Sequence, residues 1–319
     1  MLKRNWFSFC TAVILIAVLS LSGCGNEGTD TKKDNTVTFT DALGENVSVE
    51  KNPKRVAALL GSFADVWVLS GGEVCATADD AWDDFGLELP DAVNLGGAHS
   101  PSLETLISAN PDFVIASAST AANVDMKDAL ENAGITVAYF DVDCFEDYLN
   151  MLDICTDITG RKDLFEKNGS DIQKKIEEIK ADFESQDIPS EQKKVLLLRA
   201  SASSVKAKGS FGTVLGEMLY DLGCENISDS DESLLESLSV ESIISKNPYH
   251  IFVVTMGEDT QNALDNFYRI TEENPAFGTL EAVKENRVHV MDRRLFNLKP
   301  NADWAEAYEE LSETLLGRK

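Results

Sequence analysis

A fourteen-residue segment of this chain has a second, related copy. Ser102-Leu-Glu-Thr-Leu-Ile-Ser-Ala-Asn-Pro-Asp-Phe-Val-Ile115 aligns with Ser239-Val-Glu-Ser-Ile-Ile-Ser-Lys-Asn-Pro-Tyr-His-Ile-Phe252, offset by 137 residues, with six of fourteen positions identical. Each copy reads as a Ser-capped short helix stopped by Asn-Pro and feeding a buried strand. A Ser hydroxyl satisfies an orphan amide at a helix start, and the residue before a Pro avoids helical backbone. Copies so far apart require two similarly built halves.

The rest of the pattern agrees. Arg55–Leu60, Phe113–Ala116 and Ile135–Phe140 are short apolar runs of buried-strand type. Helical segments Phe63–Ser70 and Val124–Ala133 lie between them, the second closed by Gly134. The alternation restarts at Val195–Leu198, continues through Ile251–Val254 and ends at Arg287–Met291. It predicts an α/β fold of two Rossmann-like lobes, each with a parallel sheet covered on both faces. Between the halves, Phe165, Ile172, Ile176, Ile179 and Phe183 are spaced by seven, four, three and four residues, one face of a helix. Over Asp163–Ser185 that helix is about 35 Å long, a stiff connector in which Gly169 is a blemish. The expected organisation is a first lobe over 37–162, a connecting helix over 163–186 and a second lobe over 187–319.

The N-terminus reads differently. Lys3 and Arg4 precede an apolar run, Trp6–Leu21, ending in Ser22-Gly23-Cys24, the build of a secretory signal over 1–23. The competing reading is an uncleaved anchor, since about 16 residues approaches the lower spanning limit. Leu21-Ser22-Gly23-Cys24 resembles the lipobox of bacterial lipoproteins. That resemblance implies cleavage before Cys24 and a diacylglycerol on its sulfur, and two or more acyl chains anchor stably where one does not. Gly25 to Thr36 contains no apolar residue, so 24–36 reads as a lipidated Cys and flexible tether.

A 43% hydrophobic and 26% charged composition excludes a disordered chain and a polytopic membrane protein. Without the signal, 26 basic residues face 55 acidic ones, a formal charge of −29. Such a surface repels phosphate backbones, so no nucleic-acid partner is expected. Cys75, Cys144, Cys155 and Cys224 form no Cys-x-x-Cys pair; a Cys144–Cys155 bridge and four free thiols both fit, with free thiols expected.

The chain resembles the bacterial solute-binding proteins of ABC importers for ferric siderophores, haem and cobalamin. The carriers are Asn52–Ala57, Gly96-Gly97 followed by Pro101–Glu104, Asn110–Ile115, Ser239-Val240-Glu241 and Lys299–Trp304. The resemblance implies a ligand cleft between two lobes bridged by one helix, a monomer, and delivery to a permease dimer with its ATPase. It also implies that one acidic residue per lobe, Glu104 and Glu241, docks against Arg residues of that permease. The internal repeat singles out the same two positions. Each Glu equally suits the dipole of its own helix.

Little else points to chemistry. No phosphate loop, nucleophile elbow or H-E-x-x-H motif occurs, so no enzyme activity and no cofactor is expected. His99, His250 and His289 are widely separated, and Asp79, Asp80, Asp83 and Asp84 lack a calcium-loop pattern and read as a solvated patch, so no metal site is expected. Open α/β sheets place ligands at strand ends. The cleft candidates are therefore Phe63, Trp82, His99, Ser100 and Ser62 with Ser117 in the first lobe. In the second they are Arg199, Lys206, Lys208, Met256, Arg293, Arg294 and Phe296. Trp82, set among aspartates, reads as an exposed stacking residue or as core. The cations read two ways: as holders of a polyanionic ferric siderophore, or as partners of surface carboxylates. A cobamide or haem receptor is the alternative ligand class. A cluster-binding oxidoreductase would need Cys ligands at cluster spacing, which are missing, and a non-transport sensor lipoprotein is the remaining reading.

Overall fold

The computed structural model describes residues 35–236, 238–257 and 259–318. The signal segment and Cys24 lie outside the described residues, as does the tether up to residue 34.

The described chain opens with an antiparallel hairpin, β1 (Thr36–Thr40) and β2 (Asn46–Glu50), in which Thr36 faces Glu50 and Thr40 faces Asn46. Its turn is set by Asp41, whose Oδ1 accepts from the amides of Leu43 and Glu45, both at 3.0 Å. The first-lobe sheet follows: β3 (Val56–Ala58), β4 (Val74–Thr77), β5 (Val93–Asn94), β6 (Phe113–Ser117) and β7 (Thr136–Phe140). Their order is β5-β4-β3-β6-β7, all parallel. The second-lobe sheet contains β8 (Lys194–Ala200), β9 (Val205–Lys208), β10 (Glu225–Asn226), β11 (His250–Thr255) and β12 (Val288–Val290). There β10-β8-β11-β12 run parallel, and β9 lies antiparallel to β8 beside Leu197–Ala200.

The central strands β3, β6, β7, β8 and β11 are largely buried on both faces, which is why they read as nearly unbroken apolar runs. The pleat divides them between three cores. On β6, Phe113 and Ile115 enter a middle core while Val114 and Ala116 enter an outer one. On β8, Val195 and Leu197 enter the same middle core, and Leu196, Leu198 and Ala200 enter the outer core of the second lobe. The two sheets thus share one continuous apolar layer, and the described residues form one compact unit.

The connector is a helical run, Lys162–Phe165, a π turn Glu166–Ser170, then Asp171–Ser185. The blemish at Gly169 has a cause. A Cβ there would stand 3.1 Å from Leu149 Cδ2, 3.3 Å from Leu152 Cδ2 and 3.4 Å from Phe165 Cε2, so the π turn lets the connector press onto helix Phe145–Thr159. Asn168 secures the turn: its Nδ2 donates to Leu69 O at 2.8 Å and its carbonyl accepts from Tyr148 OH at 2.7 Å. Ile172, Ile176 and Phe183 then join the middle core together with Trp304, Ala307, Tyr308 and Leu311 of the C-terminal helix Trp304–Leu315.

One expectation changes and one open choice closes as expected. The helix expected over Val124–Ala133 is two short ones, Ala121–Val124 and Lys127–Asn132, because Met126 N bonds Asn123 O three residues back and tightens the turn. The four described cysteines are free. Cys144 precedes and Cys155 lies within the same helix, Phe145–Thr159, so eleven residues of rise, about 16 Å, separate them, beyond disulfide reach.

Candidate functional site

On β8, alternation carries Val195 and Leu197 into the middle core, so Arg199 continues that face at the strand end. The antiparallel register sets Lys206 opposite Arg199 and Lys208 opposite Leu197, which brings all three cations to one face of the sheet. None of the three has an ion-pair or side-chain hydrogen-bond partner among the described residues, and Arg199 Nε is buried without a partner. Burial pulls the Arg199 guanidinium below its ordinary pKa, with Asp143 of the first lobe opposing. Lys208 is lowered by burial, then by Arg199 and Lys206. Concentrated and unneutralised, this charge is poised to accept an anion. Met256, exposed, is held at the same sheet end by its amide, which donates to Ala200 O at 2.8 Å.

The other candidate cations fare differently. Arg293 grips Asp84 of the first lobe with both terminal nitrogens, Nη2 lying 3.1 Å from Oδ2. Arg294 donates to Lys299 O at 2.7 Å, lies 3.7 Å from Asp65 and 3.6 Å from Asp303, and stacks 4.3 Å above the Phe85 ring. Lys299 reaches Asp143 at 3.1 Å. Asn301, in left-handed backbone at φ 56°, donates to Ser62 O and to Asp65 Oδ2 at 2.9 and 2.8 Å. The segment 293–303 is therefore a strap that ties the second lobe to the first. The two readings of the cations divide between two groups: Arg293 and Arg294 bond carboxylates, whereas Arg199, Lys206 and Lys208 do not.

Two aromatic expectations need correcting, and the open choice at Trp82 narrows. Phe63 and Phe296 are core residues, 2% and 1% exposed, since each follows its strand end on a helical turn that rotates the ring inward. Trp82 is half-buried against the middle core rather than freely exposed: Gly61 lets the 80–82 backbone approach, its own amide donating to Asp80 Oδ1 at 2.9 Å. The aspartate patch is partly structural too, since Asp80 and Asp84 both carry bonds; burial raises the Asp80 carboxyl to about 6. His99 and Ser100 are exposed in the loop after β5. Ser117 is buried and its Oγ is 3.1 Å from that of Ser119. The partners Asp65, Asp84, Asp143 and Asn301 were not legible locally, because each acts on a residue far away in sequence.

Glu104 and Glu241 occupy matched places. Ser102 Oγ accepts from Thr105 N at 3.2 Å and Ser239 Oγ from Ser242 N at 3.3 Å. Both Glu side chains are exposed in the first turn, with no ion pair among the described residues. An open groove of about 860 Å³ lies elsewhere, between Asp171–Ser185 and the C-terminal helix, lined by Ile172, Glu178, Glu306 and Glu309 among others.

Residues 56–295 match the family described as Periplasmic binding protein. The chain belongs to that family. Among curated relatives it is 28% identical over 318 residues to the uncharacterized ABC transporter substrate-binding lipoprotein YvrC of Bacillus subtilis, covering 95% of each chain. It is 25% identical over 296 residues to the Fe(3+)-citrate-binding protein YfmC of the same organism, covering 88% of each. Among solved structures, Staphylococcus aureus SirA complexed with staphyloferrin B superposes with a TM-score of 0.67 at 21% identity, covering 89% of this chain and 98% of that one. The two-lobed α/β architecture of this periplasmic binding protein is thus that of substrate-binding components of ABC transporters. Among the described residues no helix is long and apolar enough to cross a membrane.

Proposed function

We propose that this protein is a lipid-anchored extracytoplasmic receptor that captures an anionic ferric siderophore and hands it to an ABC permease. The observation that carries the ligand class is the unpaired trio Arg199, Lys206 and Lys208, converging on one sheet face at a strand end in a chain whose net charge is strongly negative. Charge-assisted hydrogen bonds from such a cluster suit carboxylate or catecholate oxygens around iron. The names of the relatives support the same class. The protein makes or breaks no bond in its cargo. Cys24 holds it at the membrane, and Glu104 and Glu241 meet Arg residues of the permease.

The test uses the chain from residue 25 onward, titrated with ferric citrate, a ferric catecholate, cobinamide, cobalamin and haemin while tryptophan fluorescence is followed. Saturable quenching by a ferric anion is expected, with the affinity falling at least about tenfold in Arg199→Ala combined with Lys206→Ala. Tight corrinoid or haem binding that ignores these substitutions overturns the ligand assignment. Replacing both Glu104 and Glu241 by Ala is expected to abolish uptake and to leave ligand affinity intact; a loss of affinity instead sinks the docking assignment.

A further inference from the structure

The six identities of the internal repeat fall into two sets. Ser102 and Ser239 cap their helices, Asn110 and Asn247 take left-handed backbone at φ 49° and 44°, and Pro111 and Pro248 are buried. The fold itself requires these three. The other three, Glu104/Glu241, Ile107/Ile244 and Ser108/Ser245, are exposed in both lobes, with Ile107 at 40% and Ile244 at 36%. Each Glu also suits the dipole of its own helix, but the core does not fix Ile107/Ile244 or Ser108/Ser245: the inward positions between them differ, Leu106 in one outer core and Ile243 in the other, while eight of fourteen positions have diverged. An exposed isoleucine is unfavourable in water. Glu and Ile three apart share one helix face.

Resting on the docking role proposed for the two glutamates, we infer that each lobe presents a composite patch, a carboxylate beside an isoleucine. The partner is a two-fold permease dimer offering, on each half, a cation next to an apolar depression. Ile107 and Ile244 are the apolar anchors, and Ser108 and Ser245 border them. The apolar contact supplies affinity that salt does not screen, while the carboxylates set orientation and the rate of encounter. Identical patches suit identical sockets, which is why both lobes keep the same trio.

The experiment measures binding of the chain from residue 25 onward to the host cell's ferric-complex permease and ATPase in nanodiscs, at low and high salt. Ile107→Ala combined with Ile244→Ala is expected to weaken binding about tenfold at both salt concentrations. Glu104→Ala with Glu241→Ala is expected to weaken it at low salt and to flatten the salt dependence. Either isoleucine variant alone loses a comparable share, and both retain the parent melting temperature and cargo titration. Unchanged binding in the isoleucine double variant, with loss in the glutamate one, overturns this inference and leaves the docking role standing. Unchanged binding in both overturns the docking role as well.

Discussion

At the scale of single residues, burial decides what each charge can do. Arg199 lies near the end of β8 and Arg293 follows β12, yet Arg293 has a bidentate carboxylate partner and Arg199 has none among the described residues. The same logic governs a buried histidine pair at the opposite end of β11. His250 Nδ1 and His289 Nε2 are 2.9 Å apart, so one ring donates and the other accepts, and the accepting ring must be neutral. Burial lowers His250 to about 4, helped by His289 and Arg287. Its folded pKa lies below the unfolded value, so its contribution is complete above about 6.5 and is lost as pH falls toward 4. Asp80 acts in the opposite sense: raised to about 6, it favours the fold below 3.8 and loses that contribution as pH rises to 6. The parent protein should therefore show a shallow acid loss between pH 6.5 and 4. Melting temperatures across that window should fall more steeply in Asp80→Asn and less steeply in His250→Gln. Identical slopes in the three proteins would contradict the assignment.

At the scale of elements, the connector illustrates how a local irregularity serves packing. A Gly in a helix costs about 1 kcal/mol relative to Ala by propensity alone. Here a methyl at residue 169 would meet side-chain methyls of Leu149 and Leu152 at 3.1–3.3 Å, contacts that small shifts can relieve. Gly169→Ala should thus be close to neutral in urea denaturation, the gain in propensity offsetting the crowding. Gly169→Val has no such room and should destabilise by about 1–3 kcal/mol. Equal stability of the two variants would mean that the helix contact is loose. β3, β6, β7, β8, β11 and β12 were readable in the sequence because each lies in a short apolar run. β4, β5, β9 and β10 were not, being two to four residues long with little apolar run to detect.

At the scale of the molecule, the two lobes are joined by more than the connector. The strap at 293–303 adds Arg293–Asp84, Lys299–Asp143 and the Asn301 hydrogen bonds, over a shared middle core. These restraints favour small closure on ligand over a wide hinge. Because the Arg293–Asp84 pair is mostly removed from water, Arg293→Ala leaves an uncompensated carboxylate and should cost about 1–3 kcal/mol in thermal or urea unfolding. Adding Asp84→Ala should recover part of that loss, and additive costs would show that the two residues do not act together.

What the amino-acid sequence determined by itself is the plan: two parallel-sheet lobes, a helical connector, and matched Ser-capped helices that single out Glu104 and Glu241. Periodicity, capping and the internal repeat are local or self-referential signals, written in neighbouring residues. Only the tertiary structure decided which cations stay unpaired, that Phe63 and Phe296 are core, and that Trp82 leans on it. Those outcomes depend on which side chain from a distant segment arrives at a few ångströms. Asp84 meets Arg293 across 209 positions of chain, and no spacing rule along a sequence encodes a meeting of that kind.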